Sequence, residues 1–84
     1  MPLMIADVHS EISGNITRLR REKAFTQEQL AHEIKYSQAF INQIETGVKD
    51  CNIEQIYKIA TALDCSIYQI LPDFKLDLED NHDD

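Results

Sequence analysis

The sequence predicts an all-α domain of five helices, and three observations lead to that fold class. Apolar residues recur at steps of three and four through most of the chain, which places them on one face of successive helices. Residues that cap helix N-termini stand directly before four of these segments. A chain of 84 residues allows one small domain with a modest core. We therefore expect an N-terminal extension over residues 1–9, a helical domain over 10–71 and an acidic tail over 72–84.

The first helix is predicted to run roughly from Ser10 to Lys23. Its apolar face, with steps of four, four and three, consists of Val8, Ile12, Ile16 and Leu19. Gly14 lies inside this segment and costs about 1 kcal/mol relative to alanine. We expect the N-terminal half of this helix to fray for that reason.

Two short helices follow, joined by a tight turn within residues 26–46. Thr26 with Gln29 forms a capping-box pattern before the first helix, and Ser37 is a suitable N-cap for the second. The apolar positions that can face one core are Leu30, Ala31, Ile34, Ile41 and Ile44. Only about two residues separate the end of the first helix from Ser37. This spacing indicates a helix-turn-helix, whose second helix can enter a DNA major groove.

The last two predicted helices begin after Asn52 and Ser66, both of which are good N-cap residues. The apolar stripe of the fourth helix consists of Ile53, Ile56, Ile59, Ala60 and Leu63. The short fifth helix contains Ile67, Ile70 and Leu71, with Gln69 completing a capping box with Ser66. Pro72 helps to end that helix because proline cannot continue it.

The residues after Pro72 allow two interpretations. Phe74, Leu76 and Leu78 alternate with charged residues, as in a half-buried strand. Such a strand needs a partner from a second subunit or another element, since the rest of the domain is helical. We favour a disordered acidic tail, because residues 81–84 have nothing to bury.

Charge is distributed unevenly along the chain. The net charge is −7, yet residues 15–71 contain seven basic and seven acidic side chains, and residues 72–84 contain six acids and one lysine. A neutral domain can bind DNA if its positive charges lie on one face. No apolar run approaches the ~18 residues that span a bilayer, and residues 1–8 do not resemble a signal peptide. We expect a cytoplasmic protein without a membrane segment.

Residue types that commonly catalyse reactions or bind metals are not arranged in a recognisable motif. Cys51 and Cys65 form no CxxC motif, and we expect them to be small buried hydrophobes and not a disulfide. The three histidines show no ligand spacing with them. The sequence also lacks an evident nucleophile–base pair or phosphate-binding loop. We therefore expect no metal site, no cofactor and no enzymatic activity.

The second helix of the helix-turn-helix carries small and amide side chains on its predicted outer face. Gln38, Asn42 and Gln43 can bond adenine N6 and N7, and Ala39 can meet a thymine methyl group. A solvated polar face is the alternative. The candidate backbone contacts are Gln27, Lys35, Phe40 and Lys49, of which Gln27 begins a helix whose exposed amides favour phosphate.

Several residues together carry a resemblance to a known family. They are Arg20, Thr26–Gln27, Leu30–Ala31, Ile41, Ile44–Glu45, Gly47, Ile59–Ala60 and Leu63. The pattern, over about residues 16–71, resembles the Cro/C1-type (XRE-like) helix-turn-helix family. That family includes phage repressors, restriction-modification controller proteins and antitoxins, and these subclasses stay open here. The resemblance implies a lambda-repressor-like fold that binds double-stranded DNA.

The resemblance also implies roles for individual residues. By similarity, Gln38, Ala39 and Gln43 occupy positions that read base edges, and Gln27 matches a glutamine that binds phosphate. Arg20 and Glu45 match a salt-bridged pair that links helix one to helix three. Phe40 stands where controller proteins often carry a tyrosine that touches the DNA backbone. Its ring lacks the hydroxyl, so packing on a sugar, on a thymine methyl or in the protein's own core stays open.

Three residues depart from the family pattern near the turns of the motif. Lys35 replaces the usual turn glycine, and Ala24 stands where a glycine often ends helix one. If Lys35 has a positive φ, the strain is on the order of 1 kcal/mol, which does not remove the motif. Cys51 replaces a frequent proline before helix four and leaves that loop less rigid.

The sequence favours a sequence-specific transcriptional regulator, a repressor or autoregulatory switch that binds a palindromic operator as a homodimer. Two recognition helices on a symmetric site read more base pairs than one. The residues expected in the dimer interface are Ile67, Tyr68, Ile70, Leu71 and Phe74. The alternative is a protein-interaction module, an antitoxin or antirepressor-like chain that docks on another protein through its tail.

Overall fold

Five α-helices make up the fold in the computed structural model, which describes residues 4–73. They are α1 (Ile5–Glu22), α2 (Gln27–Ile34), α3 (Gln38–Glu45), α4 (Ile53–Ala62) and α5 (Ile67–Ile70). No strand occurs in this part of the chain. The prediction of an all-α, five-helix domain is confirmed. The possible strand at Phe74–Leu78 lies outside the described residues.

Helix α1 begins five residues earlier than the predicted start at Ser10. The Asp7 carboxylate accepts a hydrogen bond from the Met4 backbone N–H at 3.1 Å, which ties the start of the helix. An acidic side chain in the first turn also interacts favourably with the positive end of the helix dipole. Residues 5–9, predicted as part of an extension, therefore belong to α1. The helix continues without a break through Gly14.

The predicted N-caps of the remaining helices are confirmed. At α2, the Thr26 hydroxyl accepts from the Gln29 backbone N–H at 3.0 Å, and the Gln29 side chain accepts from the Thr26 N–H at 2.8 Å. Ser37 caps α3 through the Phe40 N–H at 3.1 Å. Reciprocal capping boxes like that of Thr26 and Gln29 also begin α4 and α5. Each cap satisfies backbone donors that have no partner inside the helix.

The turn between α2 and α3 requires a left-handed residue, and this position is Lys35, with φ 63° and ψ 42°. The positive φ that the sequence analysis considered for a lysine at the usual glycine position is therefore present. Ala24 and Asp64 also have positive φ, at 62° and 53°, after α1 and α4. These conformations cost more in residues with a Cβ than in glycine. The turns after α1, α2 and α4 are thus made at some local expense of stability.

The core lies where the helices converge. Helix α3 packs against α1 and α2, α4 packs against α2 and α5, and α5 also contacts α1. The largest fully buried side chains are Ile16, Leu30, Ile41, Ile44, Ile59 and Ile70. Each helix supplies at least one of them, so every helix is held by burial of apolar surface.

Two apolar residues differ in burial from what the sequence predicted. Ile53, predicted in the buried stripe of α4, is 61% exposed. Ile70, predicted in a dimer interface, has no exposed surface, and its backbone carbonyl accepts a hydrogen bond from Asn15 Nδ2 at 2.8 Å. The prediction for Ile70 is wrong because α5 turns this side chain into the monomer core. Its side chain is therefore unavailable to a partner subunit.

The two cysteines are free thiols, partly buried, as predicted. Burial raises the pKa of the Cys51 thiol to about 11, with a smaller contribution from the negative charge of Asp50. Burial likewise raises the pKa of Cys65. Both thiols are consequently protonated near neutral pH and act as small hydrophobic groups.

Candidate nucleic-acid interface

Helix α3 has one buried side and one exposed side. Phe40, Ile41 and Ile44 face the core. On the opposite side the exposed residues are Gln38, Ala39 and Asn42, with Gln43 partly buried beside them. The structure therefore brings the four predicted base-contacting residues together on one outward face, at positions one and four residues apart. That these four residues contact bases stays a prediction.

A buried ion pair fixes the C-terminal end of α3 to α1. Arg20 Nε lies 2.6 Å from Glu45 Oε2, and Arg20 Nη2 lies 2.9 Å from Oε1, a bidentate arrangement. The side chains are only 9% and 5% exposed. Arg20 Nη1 also donates to the Phe25 carbonyl at 2.7 Å, beyond the end of α1. The predicted pairing is confirmed, and both charges lie away from water.

The environment keeps both members of this pair charged. The hydrogen bond to Glu45 raises the pKa of Arg20 above its usual value, against the opposing effect of burial. Burial by itself raises the pKa of Glu45, but the hydrogen bonds from Arg20 and Gln27 and the charge of Arg20 together hold that pKa below its ordinary value. Glu45 therefore remains an ionised carboxylate close to the exposed side of α3.

Gln27 connects this ion pair to the exposed face of α3. Its Nε2 donates to Glu45 Oε1 at 3.0 Å. Its Oε1 accepts from Gln38 Nε2 at 3.2 Å and from Asn42 Nδ2 at 3.4 Å. A glutamine amide has two N–H donors, so one N–H of Gln27 stays available for a phosphate oxygen. We call Arg20, Glu45, Gln27, Gln38 and Asn42 the amide network.

The connections made by Gln27 were not predicted from the sequence. Its position at the start of α2 suggested only a phosphate contact. The available signal was the pair of glutamines, Gln27 and Gln38, each at the first position of one helix of the motif. That α2 and α3 pack directly on each other is what brings these amides together.

Phe40 packs inside the protein. The side chain is only 8% exposed, and its ring centroid lies 4.4 Å from that of Tyr36. Among the alternatives left by the sequence, the structure supports core packing. The assignment of Phe40 as a DNA backbone contact is wrong, because a buried ring offers little surface to DNA. The stacking partner, Tyr36, was not singled out by sequence reasoning.

Lysines lie at both ends of this aromatic pair. Lys49 Nζ is 5.8 Å from the centroid of the Phe40 ring, and Lys58 Nζ is 5.4 Å from that of Tyr36. A cation over a ring face is attracted to it. Lys49 is thus held beside the first turn of α3, and Lys35 is exposed in the turn before that helix. Both positions suit contacts with the DNA backbone.

The loop after α3 is attached to the helix that precedes it. The Val48 and Lys49 backbone N–H groups donate to the Gln43 carbonyl at 2.9 and 3.1 Å. Gly47, with φ 80°, makes the turn. On the other side, His9 Nδ1 of α1 lies 3.3 Å from the Asp50 carboxylate. These contacts hold the backbone of Lys49 in place relative to α3.

Other kinds of site are not evident between residues 4 and 73. Within that range, no group of three or more His, Cys, Asp or Glu side chains is placed to hold a metal ion. None of the helices described is long and apolar enough to cross a membrane.

The chain is similar to known proteins over most of its length. A family profile described as helix-turn-helix (HTH_3) matches residues 16–70. The chain is 31% identical over 65 residues to the HTH-type transcriptional regulator y4dJ of Sinorhizobium fredii, a match that covers 77% of this chain and 84% of that protein.

Solved structures show the same arrangement of helices. The crystal structure of an HTH_3 family transcriptional regulator from Vibrio cholerae matches with a TM-score of 0.73 and 26% identity. That match covers 77% of this chain but only 36% of the Vibrio protein. The restriction-modification controller protein C.AhdI from Aeromonas hydrophila matches with a TM-score of 0.72 and 25% identity, over 75% of this chain and 96% of that protein.

Proposed function

The chain belongs to the HTH_3 helix-turn-helix family of DNA-binding transcriptional regulators, and we propose that it acts as a repressor or autoregulatory switch that binds a palindromic operator as a homodimer. The observation that supports specific recognition is the amide network. It connects an exposed face of polar side chains to a buried ion pair. Side chains fixed in this way can discriminate between bases without first being ordered by the DNA.

In the proposed complex, α3 enters the major groove. Gln38, Asn42 and Gln43 would bond the N6 and N7 atoms of adenine, and Ala39 would contact a thymine methyl group. Helix α3 carries no lysine or arginine. Specificity is therefore expected from amide hydrogen bonds and methyl contacts, without the arginine–guanine pairs that are the commonest specific contact.

The DNA backbone contacts are proposed to come from residues on either side of α3. They are the second N–H of Gln27, together with the ammonium groups of Lys35 and Lys49. Contacts of this kind set the register of the protein on the duplex and give the binding its dependence on salt.

The dimer is proposed to form through α5. Tyr68 is 82% exposed, which is unusual for a tyrosine, and Ile67 and Leu71 are partly buried beside the core. With Ile70 excluded, these three residues carry the proposed interface. Phe74, which was predicted to join them, lies outside the described residues. A two-fold axis near α5 would place two α3 helices about one DNA turn, ~34 Å, apart.

A DNA-binding role supports the related expectations that the chain is not an enzyme and acts in the cytoplasm. The alternative, an antitoxin or antirepressor-like module that docks through its tail, depends on residues outside the described range. The two functions can coexist in one chain.

Selection from a random duplex library tests the proposal. The wild-type protein should enrich a palindromic sequence with adenine–thymine pairs at the centre of each half-site, and should sediment as a dimer on the selected DNA. His32→Ala, an exposed change on α2 outside the amide network, should enrich the same sequence. Enrichment of no sequence would contradict the proposed specificity, and binding of one subunit per operator would contradict the dimer.

A further inference from the structure

The loop between α3 and α4, residues 46–52, carries a negative charge beside a proposed DNA contact. Lys49, one of the proposed backbone contacts, is followed directly by Asp50, whose side chain is 57% exposed. The next residue, Cys51, packs against the core and holds this part of the loop in place. An ionised aspartate repels phosphate groups at short range. Asp50 therefore opposes binding of this loop to the DNA backbone unless a positive charge balances it.

The first turns of α1 bring His9 to this aspartate. His9 Nδ1 lies 3.3 Å from Asp50 Oδ1, and the His9 side chain is 39% exposed. The neighbouring Val8 packs against the core, which holds this part of the helix beside the loop. His9 lies upstream of residue 16, where the match to the family profile begins. The contact is therefore a feature of this chain that the matched region does not include.

The other charged groups around His9 leave Asp50 as its main electrostatic partner. Asp7 and Glu11 lie on α1 itself, two residues before and two residues after His9. Residues two apart on a helix do not face each other. Glu45, at the end of α3, lines the same cleft as His9, but its charge is already paired with a buried arginine. Protonation of His9 is therefore expected to act mainly on Asp50.

The charge of His9 determines the net charge of this part of the surface. Histidine is the side chain whose charge ordinarily changes between about pH 5 and pH 8. A neutral imidazole leaves the negative charge of Asp50 in place, whereas an imidazolium balances it and leaves the ammonium group of Lys49 as the net charge. We infer that His9 is a positioning residue for DNA binding, which on protonation neutralises Asp50 and strengthens the contact between Lys49 and the DNA backbone.

This inference rests on the proposed function, because it takes the loop after α3 to lie against the DNA backbone. Phosphate contacts carry no sequence information. The effect of His9 is therefore expected with nonspecific duplex as well as with a selected operator. Because the protein with protonated His9 binds DNA more tightly, binding takes up a proton, and affinity rises as the pH falls.

The test measures duplex affinity at one salt concentration at about pH 8 and about pH 6, where an ordinary histidine changes its charge. Neither Glu45, whose pKa lies below its ordinary value of 4.5, nor Cys51, whose pKa is about 11, changes charge in that range. Wild-type protein should bind about threefold to tenfold more tightly at the lower pH, as expected for one charge a few ångströms from a phosphate. His9→Gln should lose this pH response. His32→Gln, at an exposed position on α2, is the matched control and should keep it.

A double-mutant cycle separates action through Asp50 from a direct contact between His9 and phosphate. At the lower pH, His9→Gln should weaken binding by about threefold to tenfold in the wild-type background but by less than about twofold in the Asp50→Asn background. Asp50→Asn alone should bind at the higher pH about as tightly as the wild type binds at the lower pH. Equal losses in the two backgrounds would overturn the role assigned to His9.

Thermal unfolding at both pH values shows whether the variants are folded. If His9→Gln is not, the gain in affinity of Asp50→Asn at the higher pH still decides the matter, and its absence would overturn the inference. A wild-type affinity that does not change with pH, or a pH response that survives in folded His9→Gln, would overturn the inference while leaving DNA binding intact. If the wild type binds no duplex, the proposed function fails and this inference fails with it. The two failures are thus distinguishable.

Discussion

The two ends of the domain use their surface side chains differently. Around α2 and α3, the exposed polar groups are connected through Gln27 to the buried Arg20–Glu45 pair. Around α5, the exposed Tyr68 stands beside a fully buried Ile70 and has no side-chain hydrogen bond among the described residues. Polar groups at the first end are fixed by hydrogen bonds of defined direction, whereas apolar surface at the second end is free to meet another surface. Recognition of bases requires hydrogen bonds of defined direction, whereas association of subunits requires mainly apolar surface that can be buried.

The largest expected effect is the difference in stability between a substitution in the core and a substitution on the surface of α5. Ile70→Asp places a charge in the core and should destabilise the domain by more than about 4 kcal/mol, enough to unfold it. Tyr68→Asp changes only an exposed side chain and should leave thermal unfolding nearly unchanged while weakening dimerisation. Circular dichroism melts and sedimentation of the two variants provide the comparison. A folded, monomeric Ile70→Asp protein would show that our placement of this residue in the core is wrong.

The next effect concerns the α2–α3 end. Arg20→Ala leaves the buried Glu45 carboxylate without its cation and should destabilise the fold by about 3–5 kcal/mol. Replacing both residues, as in Arg20→Met with Glu45→Leu, removes the uncompensated charge and should cost less than the sum of the single changes. Urea unfolding of wild type, Arg20→Met, Glu45→Leu and the double variant gives the coupling between the sites. Additive effects would mean that the pair makes no joint contribution in solution.

Acid should act on the α2–α3 end through Glu45. Its pKa in the folded protein is below the ordinary value of 4.5, so the folded state favours the ionised form. The resulting stabilisation is fully present above about pH 4.5 and is lost as the pH falls through the lower, folded-state pKa. We expect Glu45→Gln to show a smaller loss of stability than wild type between pH 5 and pH 3, measured by urea unfolding. Equal losses in the two proteins would indicate that Glu45 does not contribute to acid sensitivity.

The smallest effect is expected at the turn between the helices. Lys35→Gly relieves the strain of a left-handed lysine but adds disorder to the unfolded chain, so a net stabilisation of at most about 1 kcal/mol is expected. The same substitution removes one proposed phosphate contact and should reduce the salt dependence of DNA binding. Lys23→Gly, at a residue with ordinary φ beside Ala24, is the control that should not be stabilised. Destabilisation by Lys35→Gly would show that the Lys35 side chain stabilises the fold by more than its left-handed backbone conformation destabilises it.

Sequence reasoning succeeded where the cause of a structure is local. The capping residues Thr26, Ser37, Asn52 and Ser66 are each recognisable within four residues of chain, and all of them cap helices. The start of α1 was missed because the N-cap Met4 and the Asp7 carboxylate that bonds its N–H lie upstream of the segment in which the periodicity is clearest.

Contacts between distant residues were harder to predict. Nothing in a four-residue helix says which of its apolar side chains faces inward. For α5, the structure shows Ile70 in the core, with a hydrogen bond from Asn15, 55 residues away, at its carbonyl. The Arg20–Glu45 pair was predicted from the family resemblance, but its burial was not. The Gln27 bonds depend on the packing of α2 on α3, which periodicity alone does not give.

The most direct test of the central claim is the affinity of α3 variants for the selected operator at a fixed salt concentration. Gln38→Ala and Gln43→Ala should each weaken specific binding by about 1–3 kcal/mol, with unchanged unfolding curves and unchanged binding to nonspecific duplex. That result would show that the amide face of α3 reads DNA sequence. Unchanged operator affinity in both variants would contradict the account, because the face fixed by the amide network would then contribute nothing to recognition.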